Sequence, residues 1–543
     1  MAGYRISRHK RLLIISTLSL LFQFTRVTDN LFTAHQLTHT LKNRIHIPIW
    51  AALLPVVLLL TGVIGCLIIK GASFVAEYSY AMLLGAALSG LAVAFLFAPP
   101  GRERLKGGLR RAAAQTLPAV PILLLIGTVS ATWMLSGVVP MLIELGLRYI
   151  SAPMFLVITC CACAGIALLT GSSWSTIATI GVAFMGIGSL LGYSSGWVAG
   201  AIISGAYFGD KMSPLSDTTV LAASSSEVDL FTHIRYMLIT TLPSLFISLT
   251  VFGVAGHLMH LTDAGSDSRM LDALKDTFHL TPWLYVIPAL TVTLILLRVK
   301  TVITLAAASV AGLLGIIFFQ PHILEMVAGD DSFYSAVLAA GRILLTDTSI
   351  ATGHLPLDEL VATGGMEGML STVLLILSAM MFGTVMLGTG MLEVITEAFT
   401  RIVRHRVGAV GATAASGLFL NSATADQYLS IIIGANMYRS IYQRLGLEGR
   451  LLSRTLEDSV SVTSVIIPWN SCGVTQSAVL GVATVTYLPY CVFNYLSPVM
   501  SILIALTGFK IRQKMKAPGA EGLAGAEQAP EEVTPEEVAV SHA

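Results

Sequence analysis

The chain has 543 residues, 55% of them hydrophobic and only 12% charged, with a mean hydropathy of +0.78. A soluble domain carries about 25% charged residues, so this composition sets aside soluble classes and marks a polytopic membrane protein. The net charge of +1 leaves no overall field to recruit nucleic acid, and six cysteines over this length do not make a disulfide framework.

Residues 1–45 open with a basic run and then an apolar stretch ("RISRHKRLLIISTLSLLFQF") of signal-core length, with no convincing small-residue cleavage site after it. They are set outside the main fold as a targeting, interfacial or disordered extension. Spanning a bilayer takes ~20 apolar residues. Spans are expected at 49–69, 79–98, 119–138, 152–170, 236–256, 282–298, 302–319, 369–391 and 485–508. Within 152–170, Cys160, Cys161 and Cys163 read as small buried helix residues, because no further ligand is spaced to complete a metal site. Three further regions, 171–222, 407–437 and 455–484, are apolar but broken by polar clusters. Such breaks free backbone groups that need partners, so they persist only where they line protein or a water-filled cavity. The tail, 511–543, is rich in Ala, Gly, Pro and Glu and is expected to be disordered and cytoplasmic.

Loop charge gives an orientation. Residues 101–111 carry five basic residues against one acid, and 401–406 and 510–516 are also basic, which makes all three cytoplasmic. The acidic segment 320–367 is placed outside. Residues 257–281 are then an external linker between two halves, 46–256 and 282–510, of opposite orientation. That is the pattern of inverted-repeat transporters. Each half holds a hydroxyl-rich break followed, about 40 residues on, by an acidic, Pro-containing break. These are "TGSSWSTIATIG" (170–181) then "GDKMSPLSDTT" (209–219), and "NSATADQY" (421–428) then "LEDSVSVTSVIIPWNSCG" (456–473).

The breaks concentrate oxygen. Asp210, Asp217, Asp426 and Asp458 each cost ~2.5–3.5 kcal/mol at a lipid-facing helix centre. They are therefore expected to face a cavity, pair with cations or be protonated. Ser172, Ser173, Ser175, Thr176, Ser213, Ser216, Thr218, Thr219, Asn421, Ser422, Thr424 and Gln427 add neutral oxygens suited to a hard cation such as Na⁺. Gly171, Gly209, Pro214 and Pro468 permit the breaks. A buried carboxylate resists ionisation and can hold either Na⁺ or H⁺, the minimum device for exchange. Lys211 is open to two roles, pairing with Asp210 or holding an organic anion. Trp174 and Trp469 are expected to pack on the hairpin tips. Glu457 is left as a residue that can face the cytoplasmic end of its helix. Arg439 and Arg454 read as cytoplasmic loop residues.

From about residue 46 to 510 these motifs resemble the NhaC-type Na⁺/H⁺ antiporter family of the ion-transporter superfamily. The residues that carry the resemblance are "TGSSWSTIATIGVAFMGIG", "GDKMSPLSDTT", "NSATADQYLSIIIGANMYR" and "LEDSVSVTSVIIPWNSCG". The resemblance implies an all-α polytopic protein of about 10–12 transmembrane segments, built as two inverted repeats with re-entrant hairpins and broken helices. It also implies a homodimer in many members, a cell (inner) membrane location, Na⁺ and H⁺ as substrates, and no cofactor. The cation and proton site is then expected at Asp210, Asp217, Asp426 and Asp458 with Ser172, Ser173, Thr176, Ser216, Thr218, Thr219, Asn421, Ser422 and Thr424. Because the family includes exchangers of malate and lactate, coupled exchange of small carboxylates is the alternative. An intramembrane enzyme finds little support, since HExxH is absent and the His residues lie mostly in the N-terminal and loop regions. A passive channel is the remaining rival.

Overall fold

The computed structural model describes residues 47–97, 102–259, 268–297, 299–329, 332–350, 352, 357–358, 361–401 and 403–511. The N-terminal extension, residues 260–267 of the linker and the tail beyond residue 511 lie outside the described residues. Among the described residues the structure is helical, with a lone β-bridge between Thr348 and Thr363.

In chain order the helices are α1 (Ile49–Lys70), α2 (Ala72–Phe97), α3 (Arg102–Thr116), α4 (Ala119–Leu135), α5 (Val138–Tyr149) and α6 (Phe155–Thr170). After these come α7 (Ser173–Leu190), α8 (Ser195–Met212), α9 (Asp217–Ser225), α10 (Leu230–Leu258), α11 (Ser268–Thr277) and α12 (Val286–Leu296). The rest are α13 (Thr301–Phe319), α14 (Pro321–Ala328), α15 (Phe333–Leu345), α16 (Gly365–Gly388), α17 (Met391–Arg401), α18 (Arg406–Thr424), α19 (Gln427–Arg444), α20 (Gly449–Leu456), α21 (Ser471–Leu480), α22 (Thr484–Tyr490) and α23 (Val492–Thr507). Seven described helices are long and apolar enough to cross a membrane, and nine spans result if two bent pairs each count as one. The protein is an all-α, multi-pass membrane protein with broken helices.

Eight of the nine expected spans coincide with these helices, two of them bent; 282–298 is a shorter apolar helix, Pro282–Leu296, and Ser173–Leu190, expected only as part of a broken region, is long enough to span. The expected 119–138 span is α4, which turns by 65° into α5, where Gly137 takes φ 85° and Pro140 follows. The 485–508 span bends by 54° between α22 and α23, at Pro489 and Cys491. Large apolar side chains such as Ile68, Leu96, Phe246 and Leu258 stand exposed on the outside, where lipid covers them at no cost.

Close packing inside depends on missing side chains. A Cβ on Gly205 would lie 2.1 Å from the Cys160 carbonyl oxygen, and one on Gly209 would lie 2.2 Å from that of Ala164. These glycines let α8 lie backbone to backbone against α6. Cys160 and Cys163 are buried in that packing.

The two broken regions match residue for residue, every counterpart lying the same number of positions further along the chain. Gly171 (φ 69°) and Ala425 (φ 58°) are both left-handed. Ser172 caps α7 and Asp426 caps α19, accepting from Ser175 N and Leu429 N. Each arm that follows, Ser173–Leu190 and Gln427–Arg444, has 18 residues. Gly192 and Gly446 then turn the chain with φ 79° and 66°. Pro214 corresponds to Pro468, and the next caps are Ser216 on α9 and Asn470 on α21. The breaks were legible as Gly, Pro and hydroxyl clusters, and the caps give the reason those residue types stand there.

Candidate functional site

Four helices begin at one place. Residues at the starts of α7, α9, α19 and α21 line a cavity of about 620 Å³. Its walls include Ser172, Trp174 and Ser175 from the first start, Ser216, Asp217 and Thr218 from the second, Asp426, Gln427 and Tyr428 from the third, and Ser471 from the fourth. Asp210 reaches in from the last turn of α8. Thr170, Thr179 and residues of α4, α12 and α13 complete the wall, and the exposed, solvated Lys300 is also part of it.

The electrostatics follow from this layout. Each helix start presents about half a positive charge, so four supply roughly +2. Asp210, Asp217 and Asp426 supply three negative charges when ionised. Against the helix starts alone, about one negative charge is left, the amount that a single monovalent cation or a single proton neutralises; Lys300 on the same wall is exposed, so solvent screens its charge. The acids differ in how they are held. Asp210 Oδ2 accepts from Ser173 N at 3.0 Å and Ser173 Oγ at 2.6 Å, so it closes the start of α7 from the neighbouring helix. Asp426 accepts from Leu429 N at 2.8 Å. Asp217 is the first residue of α9 and is exposed.

The second half repeats the hydroxyl framework with a different acid position. Thr170 and Thr176 share a contact of 3.5 Å, and their counterparts Thr424 and Ser430 one of 2.9 Å. Thr176 donates to Ser172 O at 2.9 Å, as Ser430 does to Asp426 O at 2.7 Å. The Asp210–Ser173 contact becomes Ser464 donating to Gln427 Oε1 at 3.2 Å. Thus Asp210 is matched by a serine, and Asp426 by Ser172.

Not every expected ligand faces the cavity. Thr219 is buried and donates to Lys211 O at 3.0 Å. Asn421 ties α18 to the next helix by donating to Val460 O at 2.6 Å and Thr463 Oγ1 at 3.2 Å. Ser422 donates to Leu418 O within its own helix, and Thr424 to Asp426 O. Trp469 packs on the hairpin as expected, donating to Ser422 O at 2.8 Å, whereas Trp174 lines the cavity.

Asp458 lies elsewhere, in a dry cluster behind the cavity. It forms an ion pair with Lys211, and both side chains are at most 1% exposed. Ser501 donates to Asp458 Oδ2 at 2.7 Å, while Thr240 and Ser497 donate to Oδ1 at 3.2 Å each. Lys211 also donates to Ser497 at 2.8 Å. Lys211 therefore pairs with neither Asp210 nor an incoming anion, the two roles its sequence neighbours suggested. Arg454 corrects a second expectation. It is not a loop residue but wholly buried in α20, with Nε 3.8 Å from Asp458 Oδ2 and its guanidinium 4.6 Å from the centre of the Tyr236 ring. Glu457 is likewise buried, in a π turn (Glu457–Ser461) that continues α20, and faces Thr218 rather than a cytoplasmic surface. No periodicity signals these pairings, because their partners lie more than two hundred positions apart in sequence. Among the cavity residues, Tyr428 and Ser471 were not singled out as ligands, although both lie within the quoted break motifs.

Comparison with known proteins agrees with the layout. A model of the Na⁺/H⁺ antiporter family matches residues 205–509. The Na⁺/H⁺ antiporter NhaC of Alkalihalophilus pseudofirmus is 36% identical over 401 residues, covering 74% of this chain and 84% of that protein. The arginine/ornithine antiporter ArcD of Halobacterium salinarum is 33% identical over 425 residues, 76% of this chain and 83% of that one. The malate-2H⁺/Na⁺-lactate antiporter of Bacillus subtilis is 32% identical over 407 residues, 74% of this chain and 84% of the relative. With four helix starts gathered around three carboxylates and relatives matched along most of their length, the chain belongs to the Na⁺/H⁺ antiporter family.

Proposed function

We propose that the protein exchanges Na⁺ for H⁺ at the cavity carboxylates Asp210, Asp217 and Asp426, with Ser172, Ser173, Ser216 and Thr218 as neutral partners. The observation that carries this reading is the balance of three acids against four helix starts, which leaves room for one positive charge. Na⁺ and H⁺ then compete for the same oxygens, so loading one releases the other. The matched breaks support reading 46–256 and 282–510 as two repeats of opposite orientation, and the location proposed is the cell (inner) membrane. A small dicarboxylate fits this cavity poorly, because Lys211 is consumed by Asp458 and an anion would meet three acids.

Purified protein in liposomes tests this with an internal pH dye. Added Na⁺ is expected to drive proton movement with no organic substrate present, needing more Na⁺ as pH falls. Absence of Na⁺ movement until malate, lactate or a cationic amino acid is supplied would falsify the reading.

A further inference from the structure

Glu457 is the buried acid that the cavity and the ion pair both leave without a task. Its side chain is wholly buried at the first residue of the π turn, a local widening of the helix that recurs at functional sites. Oε1 accepts from Thr218 Oγ1 at 3.1 Å, and Oε2 has no hydrogen-bond partner. Thr218 shares a hydrogen bond of 3.0 Å with Ser216, and both residues line the cavity. A continuous line of two hydroxyls joins the cavity to a carboxyl group that is itself out of contact with solvent.

Its neighbour in sequence shows what a permanent anion requires here. Asp458 has a lysine and three hydroxyls on its two oxygens. Glu457 has a hydrogen bond from Thr218 on one oxygen, the Ser461 hydroxyl nearby and no cation paired to it. An ionised carboxylate with an unpartnered oxygen in a dry interior costs several kcal/mol, so in this arrangement Glu457 holds a proton. The first half has no such acids, since the positions matching Glu457 and Asp458 are Ile203 and Ser204. Helices α9, α18, α19 and α23 pack against the π turn. The charged and titratable groups around it are Lys211 and Asp210 on α8, Asp217 at the head of α9, Asp458 and Arg454 on its own helix, His233 and Tyr236 on α10, and Tyr438 and Tyr442 on α19. Buried positions of α18 and α23 contribute hydroxyls and amides, among them Ser416, Asn421, Asn494 and Ser497.

We propose that Glu457 is a further carrier of the exchanged proton, and that Ser216 and Thr218 relay it between the cavity carboxylates and the Glu457 carboxyl; this rests on the exchange reading above. On loading, a proton from the cavity adds to Ser216 Oγ, the Ser216 proton passes to Thr218, and the Thr218 proton passes to Glu457 Oε1. Each hydroxyl ends with the one proton it began with, and the carboxylate becomes a neutral acid. Unloading reverses the sequence. Na⁺ among Asp210, Asp217 and Asp426 favours the unloaded state, because a nearby cation stabilises the ionised Glu457 carboxylate over the neutral acid.

Two transport modes in the same liposomes test this. Exchange of radiolabelled Na⁺ for unlabelled Na⁺ at fixed pH moves no proton, whereas Na⁺-driven proton movement does. Glu457→Gln is expected to keep Na⁺/Na⁺ exchange within about twofold and to lose Na⁺-driven proton movement by at least roughly tenfold. Thr218→Val is expected to slow Na⁺-driven proton movement, and Thr218→Ser to restore it. A wild-type pH profile in Glu457→Gln overturns the proposal and leaves the exchange reading standing. Loss of both modes in a folded Glu457→Gln protein, or in Thr218→Val without rescue by Thr218→Ser, also overturns it, because a role in binding or packing then suffices. If the wild-type protein exchanges Na⁺ for Na⁺ but moves no proton, both readings fall.

Discussion

Asp210 and Asp458 stand in broken or distorted membrane helices of one protein, yet their surroundings are opposite. Asp210 borders an open cavity and is held by a backbone amide and a hydroxyl from one residue, Ser173. Asp458 is sealed from solvent, with a lysine, three hydroxyls and a nearby guanidinium. The number and charge of the donors, rather than the acid itself, separate a group free to trade cations from one fixed as a structural anion. A buried pair of this kind contributes little net stability, but removing one member strands the other.

The largest effect is therefore expected at the sealed cluster. Asp458→Ala leaves Lys211 buried without a counter-charge and is expected to cost about 3–5 kcal/mol, seen as a sharp fall in melting temperature or yield in detergent. Lys211→Met combined with Asp458→Leu is expected to recover only part of that loss, because buried Arg454 still loses its nearby counter-charge. Unchanged melting in Asp458→Ala breaks the comparison. Next in size is Asp210→Asn, for which Na⁺-driven proton movement is expected to drop about 100-fold while stability changes by no more than about 1 kcal/mol. A large loss of stability there would put Asp210 in the same class as Asp458. The smallest effect is expected at Ser464, the counterpart of Asp210. Ser464→Ala removes one hydrogen bond to Gln427, costing about 1 kcal/mol, with transport reduced only a few-fold. A loss as deep as that of Asp210→Asn would mean that the two halves contribute equally.

Much of this was readable along the chain. Apolar runs located the spans, and the Gly, Pro and hydroxyl clusters at 171–172, 213–216, 425–426 and 467–470 located the breaks, because local chemistry alone dictates caps and left-handed turns. Asp210, Asp217 and Asp426 were identified for the same reason: each belongs to a break. Asp458, Arg454 and Glu457 were not correctly placed. Their roles depend on Lys211, Tyr236 and Thr218, which tertiary packing brings from the other half of the chain. Thr219, Asn421 and Ser422 have the right chemistry for ligands, but helix rotation turns them toward backbone partners instead.

The equal arms that follow Ser172 and Asp426 act as a measuring rod. Each spans 18 residues, roughly 27 Å of helix, before its glycine turn at Gly192 or Gly446. The depth of the cavity is thus metered from those turns by covalent length and not by the surrounding lipid. A thicker or thinner bilayer can tilt the scaffold, but the distance an ion must travel between either turn and the carboxylates stays fixed in the chain itself.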